Sequence, residues 1–176
     1  MSNKKKKVGT KNLISLALYT IMLKKDYQDI SVKEICQRAG VSRMSFYRYY
    51  DKKDDIFVDY CDERFEEFYN DAINKKISSL KEFTLEMFRF IKKYSRQLKV
   101  LRTANKEFLL LDQLNNYSRY VISNLHSDYL KEQKNNPLFA YFMAGGVFNV
   151  LMKWIDNDLK QSPEDINDML YSIVNK

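Results

Sequence analysis

Four glycines and two prolines are all that this chain of 176 amino acids has of the two strongest turn-forming residues. An all-β fold needs a turn roughly every ten residues, and most such turns are built on Gly, Pro or Asn. Long helices need few. The apolar residues also recur at helical spacing. Ile14, Ala17, Leu18 and Ile21 form one stripe, with Leu13 and Met22 beside it. Phe57, Tyr60, Cys61, Phe65, Phe68 and Ala72 form another, and Ile166, Met169, Leu170, Ile173 and Val174 a third. The expectation is an all-α fold of about nine helices and no strand. Those after the first three span residues 51–76, 80–94, 98–103, 105–133 and 137–156, with a last helix from Pro163. Ser79 with Glu82 reads as a helix cap, as do Asn136-Pro137 and Ser162-Pro163-x-Asp165.

Residues 31–50 carry most of the functional information. They read as two short helices joined at Gly40. Ser31 and Glu34 make a capping box, Gly40 supplies the left-handed exit, and Ser42 can cap the next helix. Ile35, Ala39, Val41, Phe46 and Tyr50 are candidates for the inner face. The small Cys36 lets the second helix cross close over the first. Arg43, Met44, Ser45, Tyr47, Arg48 and Tyr49 are left to face outward. A corner inside a helical core has no use for so dense a row of phenols and guanidiniums, whereas reading DNA in the major groove does.

The run Ile35-Cys36-x-x-Ala39-Gly40-Val41-Ser42-x-x-x-Phe46-Tyr47-x-Tyr49-Tyr50-x-x-Lys53-x-x-Ile56 resembles the DNA-binding domain of the TetR/AcrR family of bacterial transcriptional regulators. Two positions depart from that pattern. Cys36 replaces the usual Ala, and Lys52 stands where a small polar cap is common, which leaves the capping of the fourth helix to Asp51. The resemblance implies an N-terminal arm and three-helix head over residues 1–53. It also implies a six-helix body over 54–176 for effector binding and dimerisation. Matched residue by residue, it implies that Tyr47 and Tyr49 contact backbone phosphate and that Arg43 and Ser45 lie nearer the bases. Ser31 and Val32 would offer helix-end amides to a phosphate, and Lys53 would touch phosphate. Ser42, Met44 and Arg48 complete the expected DNA-contacting set, with Thr10 and Lys11 as weaker candidates.

Charge supports that division. Residues 1–60 hold 13 of the 30 Lys and Arg but only 7 of the 23 Asp and Glu, so nearly all of the net +7 sits with the DNA-reading motif. A field confined there favours a polyanion partner for that segment. The run Lys4–Lys7 reads equally as a phosphate-contacting arm or a solubilising tail.

The helix over 137–156 is apolar nearly all round, which requires cover on every side. Its longest apolar stretch, Phe139–Met152, is 14 residues broken by Asn149, too short to read as a spanning segment of about 20. A second copy of the chain is the natural cover, and Gly145 and Gly146 would let its helix approach. Phe139, Phe142, Met143, Val147, Leu151 and Trp154, with Ile166, Leu170 and Ile173 of the last helix, are the expected dimer interface. The resemblance implies a four-helix bundle there. A dimer places two heads on a two-fold axis, so the expected target is double-stranded DNA bearing an inverted repeat. The aromatic body implies, by the same resemblance, a pocket for a small apolar or aromatic effector. Phe88, Tyr117, Tyr120 and Tyr141 are the candidates to line it, and the long helix after Asp51 would carry the signal to the head.

Other chemistries find little support. Two cysteines far apart, Cys36 and Cys61, make neither a disulfide framework nor a zinc site, and fit a reducing cytoplasm. The single histidine, His126, completes no catalytic set. No signal peptide is expected, nor a cofactor, a metal or an enzymatic activity. The expectation is a cytoplasmic, homodimeric repressor, nucleoid-associated when bound to DNA and released from its operator by an effector. The alternative is a DNA-binding protein of the same fold controlled by a protein partner.

Overall fold

In a computed structural model the described residues are 9–77, 79–124 and 136–174. Lys4–Lys7 and His126 lie outside them. The described residues form nine α-helices and no strand, in keeping with the turn-poor sequence. These are α1 (Thr10–Met22), α2 (Val32–Ala39), α3 (Arg43–Tyr47), α4 (Asp55–Asn74), α5 (Leu80–Lys93), α6 (Ser95–Thr103), α7 (Glu107–Asn124), α8 (Pro137–Asp156) and α9 (Pro163–Val174). A 3-10 turn at Tyr27–Asp29 precedes α2.

With so few glycines, the chain leaves several helices through larger residues. Lys76, Asn105, Asp158 and Leu159 all have φ between +52° and +56°. Just beyond α4, α6 and α8 an amide reaches back five residues: Ile77 to Ala72, Lys106 to Leu101 and Leu159 to Trp154. These bonds satisfy helix-end carbonyls and offset a left-handed cost of about 1–2 kcal/mol per residue.

The chain divides into two compact units, Met1–Tyr60 and Cys61–Lys176, so that α4 contributes residues to both. The first unit is built on Ile14, Leu18, Ile30, Ile35, Phe46, Ile56 and Phe57, all at most 2% exposed. Tyr19 and Tyr27 meet the Phe57 ring at centroid distances of 5.9 and 5.3 Å. Burying several such side chains, at about 1.5–3 kcal/mol each, is what holds so small a unit together.

In the second unit α7 packs along α8, α5 along α9, and α6 against α7 and α8. Phe68, Ala72, Ile77, Phe83 and Val121 form one buried cluster. Ile122, Phe139 and Ala140 form another. Trp154 and Phe88, both buried, meet edge to face at 5.8 Å, and the indole N–H donates to the Gln161 carbonyl at 3.1 Å. One buried polar pair crosses this core: the Thr84 hydroxyl lies 2.6 Å from the Asn167 side-chain oxygen, while the Asn167 amide donates to the Lys81 carbonyl. A half-made pair of this kind would be costly, so it fixes one register of α9 on α5.

Candidate nucleic-acid interface

The two short helices are set up by local chemistry. At α2 the Ser31 hydroxyl accepts the Glu34 amide at 3.2 Å and the Glu34 carboxylate accepts the Ser31 amide at 2.9 Å. Lys25 reaches the same carboxylate at 2.7 Å. Lys25 first, then the Ser31 bonds, hold the Glu34 carboxyl down to about 2. Gly40 ends α2 at φ +66°, with the Val41 amide donating back to the Cys36 carbonyl at 3.0 Å. Nothing lies within 4 Å of where a Gly40 Cβ would be, so glycine is required by backbone conformation and not by space. Ser42 caps α3 by accepting the Ser45 amide at 3.0 Å.

Phe46, Ile35 and Tyr50 anchor the motif from behind, Cys36 is buried in the crossing, and Ala39 and Val41 are half-buried. Outward stand Met44, 85% exposed, with Tyr47, Tyr49, Arg43 and Arg48. The helix itself stops at Tyr47, and Arg48 and Tyr49 follow in the turn beyond it. Each guanidinium lies over a phenol face: Arg43 over Tyr47 at 5.9 Å and Arg48 over Tyr49 at 5.1 Å. Hydrogen bonding to Tyr47 raises the Arg43 pKa further. Ser42 and Ser45 use their polar atoms on each other as the helix cap.

Three expectations change here. The Ser31 amide is taken by Glu34, so the capping box leaves the Val32 and Lys33 amides at the open end of α2. Asp51 does not cap α4. Instead Asp55 accepts the Asp51 and Lys52 amides at 3.0 and 2.9 Å.

Lys53 differs most. Its ammonium donates to the carbonyls of Tyr27 at 2.6 Å, Ile30 at 2.8 Å and Gln28 at 3.3 Å, and sits 4.2 Å from the centre of the Tyr27 ring. An ammonium has three N–H donors, and these three carbonyl acceptors all belong to the turn that leads into α2. The neighbouring Asp54 accepts the Tyr27 hydroxyl. Burial first, then Asp54, push the Tyr27 phenol far above its ordinary range. Lys53 and Asp54 therefore clamp the entry to α2. Tyr27 had no place in the sequence-based set, because its partners lie 26 and 27 residues away. Lys11 is also engaged, pairing with Asp59, which accepts the Tyr50 hydroxyl at 2.7 Å.

Of the four effector candidates only Tyr117 and Tyr120 come together, on Phe65. Tyr117 stacks on Phe65 at 3.7 Å and donates to Asp62, while Tyr120 meets Phe65 and Tyr69 edge-on. Tyr141, half exposed, lies beside Arg119, and Phe88 is closed inside the core against Trp154. A cleft of about 460 Å³ lies elsewhere, lined by Glu67, Phe68, Asp71, Lys75, Glu86, Arg89, Phe90 and Lys93. Its charges are paired with one another, Lys75 with Glu86 at 2.6 Å and Lys93 with Glu67 at 3.0 Å.

The expected dimer residues divide into two groups. Phe139, Val147, Leu151, Trp154 and Ile166 are buried within this chain. On α8, Phe139, Val147 and Leu151 lie in a helix packed against α7 and α6, Trp154 also meets Phe88 of α5, and Ile166 lies on α9, which packs along α5. Met143 and Leu170 are half-buried, and Phe142 is 69% exposed. The Ile173 side chain lies outside the described residues. The open stripe of α8 consists of Leu138, Phe142, Gly146 and Asn149, at helical spacing, with Tyr141 beside it. By length and mean hydropathy, 1.4, residues Leu138–Asp156 could cross a membrane, but 39% of that stretch is already buried inside the unit.

Residues 17–60 match the family described as bacterial regulatory proteins, tetR family, and residues 78–176 match the family described as transcriptional regulator C-terminal region. An uncharacterised HTH-type transcriptional regulator of Bacillus subtilis (strain 168), YxbF, is 22% identical over 167 residues. That stretch is 91% of this chain but only 43% of the relative, so the chain spans less than half the length of the protein it matches. Among solved structures, Lin0861 from Listeria innocua superposes with a TM-score of 0.76 at 15% identity, covering 93% of this chain and 90% of that one. A Syntrophomonas wolfei protein described as a TetR-family transcriptional regulator gives 0.59 at 17%, covering 93% and 92%. At such identities the likeness is one of fold.

Proposed function

The chain belongs to the TetR family of bacterial regulatory proteins, and we propose that it works as a homodimeric DNA-binding repressor on an inverted-repeat operator. The observation that carries the reading is the outward row on and just beyond α3. Arg43, Met44, Tyr47, Arg48 and Tyr49 stand clear of a buried anchor formed by Phe46 and Tyr50. The Val32 and Lys33 amides at the open end of α2 give a phosphate a second point of attachment, since helix-end N–H groups attract anions. Tyr47 and Tyr49 are suited to phosphate, and Arg43 with Met44 to base edges.

The open stripe of α8, Leu138, Phe142 and Gly146, supports self-association. Two large apolar side chains beside a glycine allow another helix close approach, and a second copy presents the same stripe about a two-fold axis. The two-fold symmetry then requires a two-fold operator. Phe65, Tyr69, Tyr117 and Tyr120 are the aromatic group best suited to receive a small apolar or aromatic effector. Its binding would favour a state of lower operator affinity. The protein would act in the cytoplasm, on the nucleoid.

Selection from random duplexes followed by footprinting tests this reading. It predicts two protected half-sites related by inversion and two protomers per site. A single asymmetric half-site bound by one protomer overturns it. A small molecule that raises thermal stability and lowers operator affinity supports effector control. A stoichiometric protein partner with the same effect, and no active small molecule, replaces it with partner control.

A further inference from the structure

We propose that Met44 is a specificity-determining residue that reads the C5-methyl group of a thymine in each operator half-site. The inference rests on the DNA-reading function proposed above and adds the chemistry of one base contact. In recognition helices the first residues reach the base edges, which here means Arg43, Met44 and Ser45. Ser45 is occupied with Ser42: its amide donates to the Ser42 hydroxyl, and the two hydroxyls lie 3.0 Å apart. Arg43 has its guanidinium over the Tyr47 ring. Met44 stands with 85% of its surface exposed, the most exposed large apolar side chain among the described residues.

A thioether carries no hydrogen-bond donor and only a weak acceptor, so Met44 cannot read the donors and acceptors that distinguish guanine, cytosine and adenine. Only one apolar group projects into the major groove, the thymine methyl. Methionine is suited to it, being unbranched and able to adjust its rotamers to a small apolar surface. Burying one methyl against the side chain corresponds to about a fourfold gain in affinity per half-site.

The test uses the full chain and an operator enriched from random duplexes by the wild-type protein. Each thymine is replaced singly by deoxyuridine, which keeps every hydrogen-bonding group and removes only the methyl. The expected result is one thymine per half-site whose replacement weakens wild-type binding about fourfold. At that position Met44→Ala binds the two duplexes equally, while Met44→Leu still discriminates. Met44 is exposed, so neither variant disturbs packing. Discrimination that survives in Met44→Ala, or a specific operator indifferent to uracil at every position, overturns the assignment of Met44 alone. A wild-type protein that enriches no duplex overturns the DNA-reading function together with it.

Discussion

Replacing Lys53 with methionine separates two roles for one residue, the clamp on the turn before α2 and the expected phosphate contact. The stem is nearly preserved and the three donors are removed. The Tyr27 and Ile30 carbonyls lose short charge-assisted bonds at 2.6 and 2.8 Å, and the Tyr27 ring loses a cation 4.2 Å from its centre. A hydrogen bond to a charged group contributes about 1.5–3 kcal/mol, and a partly exposed cation–ring contact about 0.5–1 kcal/mol. Freeing the lysine side chain returns about 1–2 kcal/mol of rotamer entropy. With two such bonds lost, the net loss is about 2–5 kcal/mol, or roughly 5–20 °C in Tm for a chain of this size. Chemical and thermal denaturation measure it directly. Operator binding, titrated against salt well below the new midpoint, supplies the second readout. A clamp acts by positioning α2, so affinity falls while the slope of log K against log salt stays unchanged. A phosphate contact would lower that slope by about 1 per protomer at unchanged stability. Wild-type stability with a reduced slope would refute the clamp.

Gly40→Val should cost about 1–2 kcal/mol through the left-handed backbone alone, because no neighbour crowds the site, and Gly40→Asn should cost clearly less in the same denaturation series. Glu34 has its carboxyl lowered from 4.5 to about 2 in the folded chain. Its stabilising contribution is therefore complete above pH 4.5 and is lost as pH falls toward 2. Glu34→Gln should flatten the acid limb of the stability profile in that window, and an unchanged limb would contradict the assignment. Phe142→Glu should shift sedimentation from dimer to monomer with the helical circular dichroism intact, since Phe142 is 69% exposed. Leu151→Glu, at 1% exposed, should instead abolish the fold.

What was legible in the sequence was mostly local. The caps at Ser31, Ser42, Ser79 and Asn136 act within two to three residues of themselves, and each forms as its spacing predicts. The buried stripe of α1 and the left-handed Gly40 follow from periodicity and backbone sterics. The outward row of α3 was equally readable, because a five-residue helix anchored by Phe46 has only one way to face. Lys53 was not. The motif places it at the start of α4 but cannot say whether its ammonium points outward or at carbonyls more than 20 residues earlier. The aromatic body misled for a related reason: composition counts rings, and only packing separates the closed-in Phe88 from the half-exposed Tyr120.

The α8 helix marks the boundary between the two kinds of information. Its sequence is apolar on every side, so periodicity establishes a helix that must be covered and says nothing of which side its own chain covers. That choice depends on where α6 and α7 pack. With them in place Phe139, Val147 and Leu151 are buried, Trp154 is closed in against Phe88 of α5, and Leu138, Phe142 and Gly146 stay open. By itself the sequence determined an all-α chain with a capped helix–turn–helix and its basic bias, since these rest on interactions between residues a few positions apart. The tertiary structure alone decided the clamp on Tyr27 and the free face of α8, since both depend on contacts between segments that the order of residues does not bring together.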